Sequence, residues 1–176
     1  MTSVVAVNLR DYIRDIPDFP KPGIVFKDIT PLLADGAAFS TSVSQLACLL
    51  DQDVDAVVGI ESRGFIFGAA LAQQLGIGLI TVRKPGKLPA DVHAIEYELE
   101  YGMDRLEIHR DSLTPGHRVI IVDDLLATGG TAAATVKLVH QLGAEVVACL
   151  FVVELEFLKG RSQLQGVPAH SLISYA

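Results

Sequence analysis

The chain has 176 residues, with 14 Lys or Arg against 21 Asp or Glu, a formal charge of −7, half of its residues hydrophobic and no tryptophan. That length suits about one domain with a sizeable core, and the apolar content excludes a disordered polymer. The acidic balance argues against broad binding to nucleic acid or an anionic membrane, which needs clustered cations, but it leaves room for one small phosphate site.

In chain order, residues 4–14 are expected to form a helix, closed by the punctuated stretch Ile16 to Gly23. Residues 37–52 place Phe39, Val43, Leu46 and Leu50 at helical spacing. Asp55 to Ile60 reads as a short buried strand, 64–75 as a helix ending at Gly76, and Leu79 to Val82 as the next strand. Residues 83–95 break the rhythm with Pro85, Gly86, Pro89 and three cations, a loop long enough to be functional or mobile. Glu96 to Tyr101 alternates strictly, Gly102-Met103-Asp104 is turn-like, and Leu106 and Ile108 start a second alternation, so a hairpin is expected. Arg118 to Val122 is a strand, 129–142 a helix stopped by Gly143, and Val146 to Val153 another strand. This alternation implies an α/β fold, a mostly parallel sheet with helices on both faces.

Cys48 and Cys149 lack CxxC spacing and read as buried free thiols of a reducing compartment. The N-terminus reaches Arg10 and Asp11 before a signal-peptide core could form. The most membrane-like stretch, 65–82, is broken by Gln73, Gln74 and three glycines. A soluble, cytoplasmic protein is expected, with no nucleic-acid or membrane partner.

The chemistry concentrates in Val119 to Thr131, VIIVDDLLATGGT. Four aliphatics form a buried strand with Asp123 and Asp124 at its carboxyl end, where open α/β sheets bind ligands. Ala127, Thr128, Gly129, Gly130 and Thr131 then make a tight turn into a helix. Glycine lets backbone N–H groups approach a phosphate, threonine hydroxyls add donors, and a helix N-terminus favours an anion. An ordinary strand–turn–helix with an acidic cap is the alternative, but vicinal acids at a strand end serve no core. Two carboxylates beside a phosphate cradle suit a ribose diol and lie close to any magnesium. No GxxxxGK[ST] loop occurs, and Gly76-x-Gly78 meets Thr81 where a dinucleotide fold needs a third glycine.

Segment 119–131 resembles the phosphoribosyl-pyrophosphate (PRPP) binding motif of type I phosphoribosyltransferases. Phe19–Leu33 (FPKPGIVFKDITPLL), Gly59–Phe65 (GIESRGF), Arg83–Pro89 (RKPGKLP) and Leu99–Gly102 (LEYG) are similar to the adenine-specific branch of that family. These five blocks are collinear and span about residues 10–155; the last twenty residues are much less diagnostic.

The resemblance implies one phosphoribosyltransferase domain over 1–176, with a small N-terminal hood (1–35) that binds the base and a mobile loop and hairpin (83–105). It implies that Ala127 to Thr131 cradles the 5′-phosphate and that Asp123 and Asp124 hold the ribose hydroxyls. Glu61, Ser62 and Arg63 match the pyrophosphate-contacting loop, although from the residues alone they also fit a helix cap with a surface ion pair. Arg83, Lys84 and Lys87 would face the diphosphate, or else form a solvated basic loop. The position of Arg83 can serve a neighbouring subunit's site in the family, which implies a homodimer.

Glu100 would be the acid/base group near purine N7, with Arg63 also at the reacting centre. Read alone, the charged alternation at 96, 98 and 100 fits a solvent-facing strand. Tyr101 would position the loop, or simply pack in a hairpin. Phe26 and Leu125 would sandwich the base, and backbone groups near Val25 and Lys27 would read its edge; the family often has arginine at position 27. The implied reaction is transfer of 5-phosphoribosyl from Mg2+-PRPP to N9 of adenine, giving AMP and pyrophosphate. Its rivals are the same transfer to a 6-oxopurine and a PRPP- or nucleotide-sensing regulator on the same fold.

Overall fold

The computed structural model describes residues 7–98 and 103–176, and all structural statements concern those residues. Where a helix over 4–14 was expected, a 3-10 turn spans Leu9–Tyr12 and the chain continues as β1 (Arg14–Pro17), paired antiparallel with β2 (Val25–Asp28). Side chains decide this locally. Asn8 accepts from the backbone N–H of Arg10 at 3.3 Å, and Arg14 bonds across the pair to Asp28 at 2.7 Å. Pro17 and Pro20 forbid helical continuation.

Next come α1 (Thr30–Ala34) and α2 (Gly36–Cys48), the latter capped by Asp35, whose carboxylate accepts from the Ala38 N–H at 2.8 Å. Cys48, at its last position, is exposed rather than buried, whereas burial pushes the Cys149 thiol up to about 12. β3 (Ala56–Ile60) leads into α3 (Gly64–Leu75), which ends on Gly76 at φ 71°. β4 (Gly78–Val82) follows, then the hairpin of β5 (Val92–Glu98) and β6 (Met103–His109). The hairpin begins earlier than the alternation suggested, so only 83–91 remains irregular apart from the Arg83–Glu107 bridge. β7 (Arg118–Leu126), α4 (Gly130–Gln141), β8 (Glu145–Leu155), two short 3-10 turns (Glu156–Leu158 and Gly160–Leu164) and β9 (Ala169–Tyr175) complete the order.

The central sheet has the order β4-β3-β7-β8-β9, and every pairing in it is parallel. Along β7, Val119 and Ile121 pack with Leu138 and Val139 of α4 and with Leu106 and Ile108 of the hairpin. Ile120 and Val122 face the other way, with Leu46 of α2 and Phe67 and Leu71 of α3. Burial on both faces is why these strands read as unbroken aliphatic runs rather than alternating ones. From β3 the chain steps outward to β4 and then crosses back to β7 on the other side. That makes β3/β7 the switch point, and the crevice beyond their carboxyl ends is the place for a ligand. Among the described residues no helix is long and apolar enough to cross a membrane.

β9, silent in the sequence, is locked by Glu154 of β8. This carboxylate, 2% exposed, accepts from Arg161 at 2.7 and 2.6 Å and from the Ser171 hydroxyl. The Arg161 guanidinium holds the Glu154 carboxyl below its ordinary value. A depressed folded value stabilises above the unfolded one and is lost as pH falls through the folded one. Glu154→Ala should therefore cost about 2 kcal/mol near neutrality. Urea midpoints measured from pH 7 downward should show the gap to wild type closing below about pH 4.3.

Candidate active site

Two strand ends build the crevice. β3 delivers Glu61-Ser62-Arg63 to the start of α3, and β7 delivers Asp123 and Asp124 followed by the turn 127–131 into α4. Close approach depends on glycine. A Cβ on Gly64 would lie 2.7 Å from the Val122 carbonyl oxygen and 2.9 Å from Asp123 Oδ1, so α3 starts directly against the acidic strand end. Gly129 has φ 84°, and a Cβ there would lie 2.3 Å from the carbonyl oxygen of Gly160. A Cβ on Gly160 would lie 2.3 Å from the Ala127 carbonyl oxygen in return. The turn thus rests backbone to backbone on the 3-10 segment after β8. Arg63, the two aspartates and the turn enclose a cleft of about 190 Å3.

Arg63 Nε donates to Asp124 Oδ2 at 2.5 Å, and its guanidinium lies 5.7 Å from the centre of the Phe26 ring. One cation thus links the acidic strand end to the small β1–β2 sheet. Asp123 Oδ1 accepts from the Asp124 N–H at 2.9 Å. Burial first, and the neighbouring Asp124 charge second, push the Asp123 carboxyl well above its ordinary value. Asp123 keeps partial contact with solvent but is walled in by Gly64 and the strand end.

Glu61 accepts from Arg83 Nε and Nη2, both at 3.2 Å, and from the Lys84 N–H at 3.0 Å. Burial works to raise its carboxyl, but these bonds outweigh it and the value is lowered. Arg83 also donates to the Lys87 carbonyl at 3.2 Å, and its backbone bridges Glu107 of β6. The basic stretch 83–87 is therefore shaped by Glu61 and β6 rather than loosely solvated. Lys84 Nζ reaches Asp104, which also accepts from the Tyr97 hydroxyl at 3.0 Å. Tyr97 in turn lies 3.2 Å from Thr131 Oγ1.

Of the residues expected at a site, Arg63, Asp123, Asp124, Leu125 and the turn 127–131 share the cleft, and Glu61, Arg83 and Lys84 form a cluster beside it. Phe26 touches this region through Arg63 and stacks edge-on with Phe19, ring centres 5.2 Å apart. The Lys27 side chain is committed elsewhere: Nζ pairs with Asp15 at 2.7 Å and sits 3.9 Å over the Tyr175 ring. Val25 is exposed. Glu100 and Tyr101 lie outside the described residues. Tyr97, Asp104 and Gly160 escaped the sequence reading. Tyr97 was visible only as one apolar position in an alternation, and Asp104 and Gly160 carried no signal beyond turn composition.

The family profile described as phosphoribosyl transferase domain matches residues 26–165. An adenine phosphoribosyltransferase of Nitrosococcus oceani is 59% identical over 168 residues, 95% of this chain and 98% of that protein. The chain belongs to the adenine phosphoribosyltransferase family. The crystal structure of the family member from Thermoanaerobacter pseudethanolicus superposes with a TM-score of 0.93 at 55% identity, covering 95% of this chain and 98% of that one. The Saccharomyces cerevisiae member, TM-score 0.90 at 43% identity over 93% of this chain and 96% of its own, was solved with D-2,5-dideoxy-2,5-imino-altritol 1,6-bisphosphate and adenine. The central parallel sheet with its flanking helices is accordingly the type I phosphoribosyltransferase fold.

Proposed function

We propose that this chain transfers 5-phosphoribosyl from PRPP to N9 of adenine, giving AMP and pyrophosphate, in the cleft between the ends of β3 and β7. The observation that carries the reading is the adjacent Asp123–Asp124 pair opening onto a glycine turn at the switch point of a parallel sheet. The turn 127–131 offers backbone N–H groups and the Thr128 and Thr131 hydroxyls to the 5′-phosphate. Asp123 and Asp124 accept protons from the ribose 2′- and 3′-hydroxyls. Arg63, Arg83, Lys84 and Lys87 face the diphosphate, with Glu61 orienting Arg83 and the Lys84 backbone.

Base recognition falls to the β1–β2 pair, acting as a hood over residues 1–35 of a single domain. Phe26 and Leu125 supply apolar faces. Among the described residues β2 has β1 as its one partner, so alternate residues turn N–H and C=O groups to an unpaired edge. A donor and acceptor from that edge near Val25 and Lys27 match the acceptor N1 and donor N6 of adenine, whereas a 6-oxopurine would mispair. That frees the Lys27 side chain for its structural pairing with Asp15. Glu100 handles the proton near N7, and Tyr101 positions it.

No group of three or more metal-ligating side chains occurs among the described residues. A pair of carboxylates, one of them shared with Arg63, fits a magnesium ion whose other ligands are substrate oxygens. PRPP itself would hold most of its coordination, with Asp123 and Asp124 close by, and it would neutralise charge on the leaving diphosphate. The enzyme works in the cytoplasm, and a homodimer places Arg83 beside a second site. PRPP consumption assayed with adenine, hypoxanthine, guanine and xanthine, with magnesium and with EDTA, tests the reading. AMP and pyrophosphate should appear in equal amounts from adenine with magnesium; use of hypoxanthine in preference to adenine would overturn the base assignment.

A further inference from the structure

The hydrogen-bond chain Lys84–Asp104–Tyr97–Thr131 ends on a hydroxyl that lines the phosphate cleft. Its protons can be counted. Ionised, Asp104 can only accept hydrogen bonds. Burial works to raise its carboxyl, but bonds from Lys84, the Arg105 N–H and Tyr97 outweigh that and hold it below its ordinary value. Tyr97 has one hydroxyl proton, and Asp104 takes it at 3.0 Å. The 3.2 Å contact between Tyr97 and Thr131 then requires the proton of Thr131. So arranged, Thr131 turns lone pairs, not its proton, toward the cleft. A phosphate dianion accepts hydrogen bonds and cannot donate them, so one hydroxyl proton would have to serve two acceptors.

We propose that Asp104 and Tyr97 are positioning residues that hold the Thr131 hydroxyl in the wrong polarity for phosphate, so that binding of the 5′-phosphate must win that proton from Tyr97. When it does, Tyr97 either turns its own proton to the Thr131 oxygen and gives up Asp104, or leaves Thr131 altogether. Either exchange loosens the β5–β6 hairpin from the phosphate turn at the moment the sugar phosphate arrives. The same carboxylate neutralises Lys84, a cation assigned above to the diphosphate, so Asp104 restrains a ligand at each end of PRPP. This inference rests on the phosphate-turn reading under Proposed function.

Its consequence runs opposite to that of a structural bond, whose loss weakens binding. In calorimetric titrations of the full chain, Tyr97→Phe should bind ribose 5-phosphate about 3- to 10-fold more tightly than wild type, the worth of one neutral hydrogen bond. Tyr97→Phe should leave binding of inorganic pyrophosphate as it was. Asp104→Ala should tighten both ligands, since Tyr97 can then donate to Thr131 and Lys84 is released. Thr131→Ala should weaken ribose 5-phosphate, and adding Tyr97→Phe to it should give no tightening. Weaker binding in Thr131→Ala with unchanged or weaker binding in Tyr97→Phe would overturn the inference while leaving the phosphate turn in place. Ribose 5-phosphate binding unaffected by Thr131→Ala would overturn the turn assignment itself, and the inference with it.

Discussion

Gly129→Ala should lower kcat/KM for PRPP by about 10²-fold, and Gly160→Ala should do nearly the same from outside the cleft. At Gly129 two penalties coincide. Its φ of 84° is a conformation that costs an L-residue about 1–2 kcal/mol. Its new Cβ would also stand 2.3 Å from the Gly160 carbonyl oxygen, a backbone atom with no rotamer to escape into. Relief needs the two segments to part by about 1 Å, and a misplacement of that size in a substrate-positioning element costs about 10²-fold.

Gly160→Ala isolates the second penalty. Its Cβ would meet the Ala127 carbonyl oxygen at 2.3 Å and Leu126 Cδ1 at 2.9 Å, so it pushes on the turn without adding an atom to the turn itself. Initial rates against PRPP at saturating adenine are the measurement. A Gly160→Ala enzyme with wild-type kinetics would show that the segment 156–164 does not set the turn.

That dependence on Gly160 also marks where the sequence stops being readable. β3, β7 and β8 announce themselves because both faces of the sheet are buried there, β4 because its half-buried edge still reads as a short aliphatic run, and Gly76 and Gly143 stop α3 and α4 where left-handed φ values of 71° and 76° are needed. β1, β2 and β9 do not, because two short strands on a two-stranded sheet and one edge strand are half-exposed and follow neither period. The N-terminal segment shows the cost: apolar spacing over 4–14 fits a helix, yet the Arg10 N–H donated to Asn8 and the Arg14–Asp28 bond across the β1–β2 pair win in 7–14.

In the site, Asp123, Asp124 and the turn are legible because the chemistry is consecutive. The Arg63–Asp124 pair spans 61 residues and the Tyr97–Thr131 contact 34. Such partners are chosen by strand order, which composition does not encode.

Asp123 gives the second large effect, and it separates function from stability. Burial and the Asp124 charge raise its carboxyl, so the folded chain binds this proton more tightly than the unfolded one. By linkage, stability is full below the ordinary aspartate value of about 3.9 and is lost as pH rises toward the higher native value. Once the pH passes that native value, the folded state bears the cost of an ionised, poorly hydrated Asp123 beside Asp124.

Asn resembles the protonated form, and its side-chain oxygen can still accept from the Asp124 N–H, as Asp123 Oδ1 does at 2.9 Å. Asp123→Asn should thus raise Tm, by about 2–4 °C for each kcal/mol relieved. The gain should shrink as pH falls toward the ordinary aspartate value. The same change removes a charged acceptor from the ribose hydroxyls and should cut kcat/KM for PRPP by about 10- to 100-fold. Calorimetric scans across pH, paired with rates, read both. An Asp123→Asn enzyme that melts lower than wild type at neutral pH would mean that the carboxylate is repaid by contacts within the fold; one that is more stable but inactive would mark Asp123 as a group kept for the sugar at the expense of the fold.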